Sequence, residues 1–365
     1  MTTKNLFEAY KLGSVTLSNR LVMNPMTRSR ANEQGVANAM MAEYYAQRAT
    51  AGLIVTEGIA PSPNGKGYAR IPGLWNAAQT ESWKPITAAV HAKGGHVFAQ
   101  LMHTGRVSHA ANMIEGGKVV APSAVPLTGA QMYTDAKGMQ DYPVPEALDA
   151  AGLESTKAEF VNAAKNAIAA GFDGIELHAA NGYLLEEFLS PHTNTRTDAF
   201  GGSLENRIRF VVDVAKATAV AIGADKVGIR LSPYGVASGM APYPELEQEY
   251  LALLAELAKL KLVYVHVADH QGQGAPEVPM AFKQALRKAW PNTFLIGGSL
   301  DQASAQKAVE DGLVDLAGLG RAFLANPDLV ERFQKGLPLN QPDYTTLFTP
   351  GAKGYTDYPL AAAAV

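Results

Sequence analysis

GFDGIELHA, residues 171–179, carries two messages in one short run. Ile175 and Leu177 alternate with Glu176 and His178, the period-two pattern of a strand with one apolar and one polar face. The apolar pair suits packing against helices, which turns Glu176 and His178 the other way. Two more runs repeat the arrangement. In GHVFAQL (95–101), Val97, Ala99 and Leu101 share the helix-facing side, leaving Phe98 and Gln100 opposite; in KVGIRLS (226–232), Val227, Ile229 and Leu231 leave Arg230 opposite. Polar side chains near the C-terminal ends of three strands, all off the helix-facing side, are expected where strands surround a common axis with a site at its mouth.

Five further β-branched runs read as strands: RLVMNP (20–25), GLIVTEG (52–58), LVYVHVAD (262–269), TFLIGGS (293–299) and VDLAGLGR (314–321). Longer amphipathic stretches such as NAMMAEYYAQRA, STKAEFVNAAKNAIAA and SLENRIRFVVDVAKATAVAI separate them. A last helix is expected near Pro327, with Asn326 as its cap. Eight strand–helix units predict an α/β fold, a (β/α)8 barrel formed by residues 1–365 as one domain. The competing doubly wound sheet would carry GxGxxG after its first strand. The nearest match, GLGRAF at 318–323, lacks the third glycine and comes at the last strand. KLGSVTLSNR (11–20) reads as a hairpin closing the barrel bottom, and Pro122–Asp149, rich in Pro, Gly and Tyr, as a lid inserted after strand three.

Composition removes several kinds of chemistry. With no cysteine, thiolate metal sites, iron–sulfur clusters and cysteine nucleophiles are excluded. A formal net charge of −3 gives no electrostatic reason to expect nucleic acid or an anionic membrane as partner. The start lacks the apolar core of a signal peptide, and no run is long enough to span a bilayer, so a cytoplasmic protein is expected. His266 and His270 lie four apart on a strand and its exit, without the helix that gives such spacing meaning, and read as core or loop residues. No metal site is expected. A barrel lyase would want a Schiff-base lysine at a strand end, and none of the eight ends offers one.

Directly after the fourth strand, HAANGY (178–183) gathers an imidazole, a carboxamide and a phenol. The last two strands end in IGGSL (296–300) and GLGRAF, where glycines admit a phosphate close to backbone N–H groups and Arg321 adds a charge. NPMTRSR (24–30), AQLMHTGR (99–106), HAANGYLLEEFLSPHTNTRTDAFGGSLENRIRF (178–210) and LGRAFLANPDL (319–329) together resemble the Old Yellow Enzyme family. The likeness runs from about residue 6 to about residue 359 and looks closest to the bacterial N-ethylmaleimide and pentaerythritol tetranitrate reductase branch.

The resemblance implies FMN bound non-covalently at the barrel mouth, with NADPH or NADH as hydride donor. It implies that His178 and Asn181 hold the oxygen of an activated alkene while Tyr183 protonates the α-carbon. Thr27 is expected at flavin O4; Pro25, Met26 and Ala60 along the flavin edge; Gln100 and Arg230 at the pyrimidine side. Arg321, with backbone at Gly298 and Gly320, is expected on the phosphate. Tyr68 and Tyr355 are expected in the substrate pocket. Two residues depart from the branch: Met102 replaces a tryptophan, and Phe348 a tyrosine. Both are expected to border substrate, and Met102, on the same strand face as Gln100, to widen the pocket. The implied activity is reduction of small activated alkenes by a monomer or small homo-oligomer. Reduction of nitrate esters or nitroaromatics at the same site stays open, whereas a non-enzymatic flavin carrier gives no reason for His178, Asn181 and Tyr183 to stand together.

Overall fold

The computed structural model describes residues 4–271 and 274–361. At its centre eight parallel strands close a barrel in chain order. They are β1 (Leu21–Met23), β2 (Leu53–Ile59), β3 (Val97–Leu101), β4 (Gly174–Ala179), β5 (Val227–Leu231), β6 (Tyr264–Asp269), β7 (Thr293–Gly298) and β8 (Leu316–Leu319), and β8 pairs back onto β1. Each predicted run overlaps one of them, and only β2 extends past its run, by one residue to Ile59.

The alternation read from sequence sorts the faces as expected. Ile175, Leu177, Val97, Leu101, Val227 and Ile229 are fully buried in the cluster that also holds the helix residues Phe160, Val211 and Leu253. Each such side chain contributes roughly 1.5–3 kcal/mol by leaving water. Inside the barrel, Val22, Leu53, Val55, Phe98, Tyr264, Leu295 and Leu316 form a separate apolar cluster. The antiparallel hairpin Tyr10–Leu12/Val15–Leu17 inserts Leu12 and Leu17 into that cluster, as expected of a segment closing the bottom. Its turn passes through Gly13 at φ +52, where a Cβ would overlap the carbonyl of Asp225. With the lower half filled by hydrocarbon, the polar side chains that point inward are left to the upper half.

Helices start where side chains can satisfy their free N–H groups. Asn38 caps Ala39–Gln47, Asn76 caps Ala77–His91 and Asp149 caps Ala150–Ala169, while Asp301 and Ser304 form a reciprocal box before Gln302–Glu310. Two expectations are corrected. The helix expected across 203–222 breaks at Ile208 into Leu204–Arg207 and Arg209–Ile222, where buried Arg207 donates to the Leu189 carbonyl (2.8 Å) and pairs with Glu249 (2.5 Å). The final helix, Leu329–Lys335, begins after Asp328, not at Asn326. The Asn326 carboxamide instead ties the Ala322 carbonyl (2.9 Å) to the backbone of Asn340 (2.7 Å), behind a short helix Arg321–Ala325.

The long β3-to-helix connection carries an antiparallel hairpin, Gln131–Thr134/Gly138–Asp141, and a short parallel pair, Val120–Ala121 with Glu146–Ala147. Its anchoring strand therefore lies ahead of Pro122. No helix among the described residues is long and apolar enough to cross a membrane.

Leu17→Ala should cost about 2–5 kcal/mol, because the barrel bottom cannot collapse onto the vacated volume. Denaturant unfolding measures this; a loss below ~0.5 kcal/mol would mean that the hairpin does not plug the barrel.

Candidate active site at the barrel mouth

The three inward-pointing strand residues meet around one carboxylate. Glu176, fully buried, accepts from Gln100 Nε2 (2.8 Å), Tyr264 OH (3.0 Å) and His266 Nδ1 (2.9 Å). Burial opposes its charge, yet His266, Arg230 and Gln100 outweigh burial and hold its pKa below the usual value. Burial likewise lowers the pKa of His266, against the pull of Glu176 that raises it, and Arg230 is the nearby cation. Arg230 is itself buried, and its Nε finds no partner among the described residues.

Above this floor the chain leaves β4 through a tight turn. Asn181 lies in the left-handed region at φ +61 and Gly182 follows at φ +76. The turn is tied down twice: the Asn181 N–H donates to Ser232 Oγ (2.8 Å), and the Gly182 N–H donates to Glu186 (2.6 Å). Ser232 and Tyr250 also donate to Glu186 (2.7 and 2.9 Å). Burial lifts Glu186 to about 7 against these three donors.

The turn brings His178, Asn181 and Tyr183 together. The His178 ring meets the Tyr183 ring edge-on, with centroids 4.9 Å apart, and its Nε2 lies 3.5 Å from Asn181 Nδ2. Burial, followed by the charge of Arg230, drives the His178 pKa well down, so the ring is neutral. Tyr183 is raised by burial but drawn back by the Tyr68 hydroxyl, 3.1 Å away, and by Arg230. It stays a protonated phenol at neutral pH. The Asn181 Oδ1 lies 2.7 Å from Nε2 of His270, a contact that sequence spacing does not reveal because 89 residues separate the two.

Two cavities open on either side. One, of about 610 Å³, is lined by Pro25, Met26, Thr27, Arg230, Gly298, Gly320 and Arg321, and also by Asn24, Asn181 and His270. The other, of about 560 Å³, lies under the insertion hairpin and includes Tyr68, Tyr183, Met132 and Tyr142. Thr27 and Phe348 border both.

The family model described as NADH:flavin oxidoreductase / NADH oxidase matches residues 5–340. The chain belongs to that family. A probable flavin mononucleotide-dependent alkene reductase of Leishmania infantum is 39% identical, over 96% of this chain and 95% of that one. The solved structure of morphinone reductase superposes with a TM-score of 0.94 at 40% identity, over 99% and 98% of the two chains. An Old Yellow Enzyme homologue from Zymomonas mobilis superposes at 0.93 with 38% identity, over 98% and 100%. The family resemblance read from sequence is therefore right, and the protein is an NAD(P)H-dependent flavin oxidoreductase with FMN as cofactor.

The residues of the larger cavity fit that cofactor. Gly298 and Gly320 line the cavity beside the Arg321 guanidinium, and a Cβ on Gly298 would overlap the Asp269 carbonyl, so only glycine backbone fits at that point. Buried polar atoms at Arg230 Nε, Asn24 Oδ1 and His178 Nδ1 lack partners among the described residues. Leaving such groups unpaired costs about 1–3 kcal/mol each, which a polar ring edge would relieve.

Five of the expected site residues, Ala60, Gln100, Met102, His178 and Tyr355, line neither cavity. Met102 is 1% exposed and lines neither cavity. Its side chain covers Gly58, where a Cβ would fall 2.5 Å from the sulfur, and packs behind Tyr68 and Tyr183. It shares that cluster with Ala60 and Ile71. Ala60 is fully buried in the same cluster, with its N–H on Pro72 and its carbonyl on Leu74. Tyr355 is fully buried and stacked on Tyr44 at 4.0 Å, between Arg28 and Arg30. It is a support of the C-terminal loop, not a pocket residue. Gln100 is buried with its Nε2 donating to Glu176.

Arg321→Ala should give protein that sheds FMN on dilution. A charged hydrogen bond to phosphate contributes about 1.5–3 kcal/mol, or roughly ten- to a hundredfold in affinity. Unchanged flavin affinity by fluorescence titration would move the phosphate away from Arg321.

Proposed function

We propose that this chain is an ene-reductase. With NADPH or NADH as electron donor, it reduces the C=C bond of small α,β-unsaturated carbonyl compounds and nitroalkenes. The observation that carries the reading is a neutral imidazole, a carboxamide and a protonated phenol grouped beside the FMN cavity. The similarity to a named alkene reductase supports it.

When bound, FMN supplies hydride to the β-carbon of the alkene. Pro25, Met26, Thr27, Arg230, Gly298, Gly320 and Arg321 would hold it. His178 and Asn181 donate to the carbonyl or nitro oxygen, and their bonds strengthen as negative charge gathers there. Elsewhere such a donor contributes roughly 3–4 kcal/mol. A neutral imidazole suits this role, since its N–H stabilises the oxyanion without transferring its proton. Tyr183 gives its proton to the α-carbon. The resulting phenolate is stabilised by the Tyr68 hydroxyl at 3.1 Å and by the charge of Arg230, the two influences that draw the Tyr183 pKa down. The second cavity, walled by Met132, Tyr142 and Phe348, receives the carbon skeleton and keeps water from the intermediate.

Tyr183→Phe should leave reduction of bound flavin by NADPH nearly intact while slowing enone turnover by ~10²–10⁴. Anaerobic stopped-flow separates the two half-reactions; equal loss in both would sink the proton-donor role. Nitroalkenes should suffer less, because their nitronates persist long enough to take a proton from water.

His178→Ala and Asn181→Ala should each weaken binding of p-hydroxybenzaldehyde, whose phenolate oxygen imitates the oxyanion. Losing one charge-assisted bond corresponds to about ten- to a hundredfold. Parent-like titrations of the flavin absorbance would show that the pair holds no oxyanion.

A further inference from the structure

We propose that His270 is a positioning residue that fixes which end of the Asn181 carboxamide faces substrate. The inference rests on the oxyanion role given to Asn181 above. A carboxamide has a donor end and an acceptor end of nearly equal shape, and its terminal torsion is broad and roughly two-fold. Presented the wrong way round, Asn181 would set its carbonyl against the developing negative charge and oppose the reaction. Something must therefore tell the two ends apart.

The backbone cannot do so. Its ties to Ser232 (2.8 Å) and Glu186 (2.6 Å) hold the left-handed turn but leave the side-chain amide free to flip. His178 is a poor discriminator, since the 3.5 Å separation of Nε2 and Nδ2 is at the limit of a hydrogen bond. The contact that discriminates is His270 Nε2 with Asn181 Oδ1 at 2.7 Å. With its proton on Nε2, His270 donates to the carbonyl end and turns the NH2 end towards His178 and the substrate oxygen. Burial and the Arg230 charge lower His270 to about 4, so its ring is neutral at neutral pH, and the Nε2–H tautomer is the one that donates to Asn181 Oδ1. The residue comes from the far end of β6, on the opposite side of β5 from Asn181, so barrel closure brings the two together.

A double-mutant cycle on flavin-loaded protein, scaled to bound flavin, tests this. His270→Leu should weaken binding of p-hydroxybenzaldehyde about tenfold, the value of one hydrogen bond that orients a donor. His270→Gln, whose terminal amide can donate from a similar position, should recover most of that loss. In an Asn181→Ala background, His270→Leu should change nothing further. A general packing role would instead leave His270→Gln impaired and His270→Leu equally harmful in both backgrounds, and either result overturns the proposal. If Asn181→Ala weakens the phenol while His270→Leu binds like the parent, only the positioning role falls. If Asn181→Ala itself binds like the parent, the donor role of Asn181 fails and this inference fails with it.

Discussion

A single buried carboxylate organises the mouth of this barrel. Glu176 has no access to solvent, and an ion in that position persists only if its lone pairs are filled and a counter-charge is near. Gln100 from β3, Tyr264 and His266 from β6, and the Arg230 charge from β5 meet those needs together. Because the strands are parallel and in register, with Glu176 level with Gln100 on one side and Gly228 on the other, one carboxylate fixes the rotamers of three neighbours. The charge of Arg230 depresses His178 and favours ionised Tyr183. The electrostatics of both groups are set from the strand layer beneath them.

The loops above are held by a second set of cations. Arg28 donates to the carbonyls of Leu347 (3.2 Å) and Gly354 (2.6 Å), and Arg30 to those of Leu347 (2.6 Å) and Thr346 (2.8 Å). Tyr355 lies between the two guanidinium groups. Arg70 donates to the carbonyls of Ser29 (3.2 Å) and Phe348 (2.9 Å) and pairs with Asp135 of the insertion hairpin. One side chain thus joins the β1 loop, the C-terminal loop and the hairpin around the substrate-side cavity. Phe348 borders both cavities, and carbonyls on either side of its ring are held in this way.

What could be read from sequence follows from periodicity. A strand buried on both faces still alternates, so Glu176, His178, Gln100 and Arg230 were assignable to the inner side from windows of seven to nine residues. The hairpin at the bottom was legible because Val15 and Leu17 alternate across a turn that Gly13 permits. The helix break at Ile208 was not, because SLENRIRF and RFVVDVAKATAVAI share one apolar stripe and only the burial of Arg207 against Glu249 separates them. Met102 lies just past the end of β3 at Leu101, where alternation no longer dictates direction. Tyr355 and Ala60 carry a resemblance but no periodic signal, and tertiary packing buries both.

His270 marks where sequence reasoning stops. A histidine at a strand exit has no pattern of its own, and its partner Asn181 is displaced in the chain by a whole strand–helix–strand excursion. Yet a parallel barrel makes such meetings systematic. Every strand delivers its C-terminal end to the same rim, so residues just past β4 and just past β6 face each other across β5. The residue after a strand is free of the ladder and can turn sideways, as Asn181 does through its positive φ. Fixed charges in the strand layer, donors on the turns immediately above them, and apolar walls in the loops form three tiers of decreasing constraint. The lower two tiers hold His178, Asn181 and Tyr183, so the upper one can carry Phe348 without disturbing their arrangement.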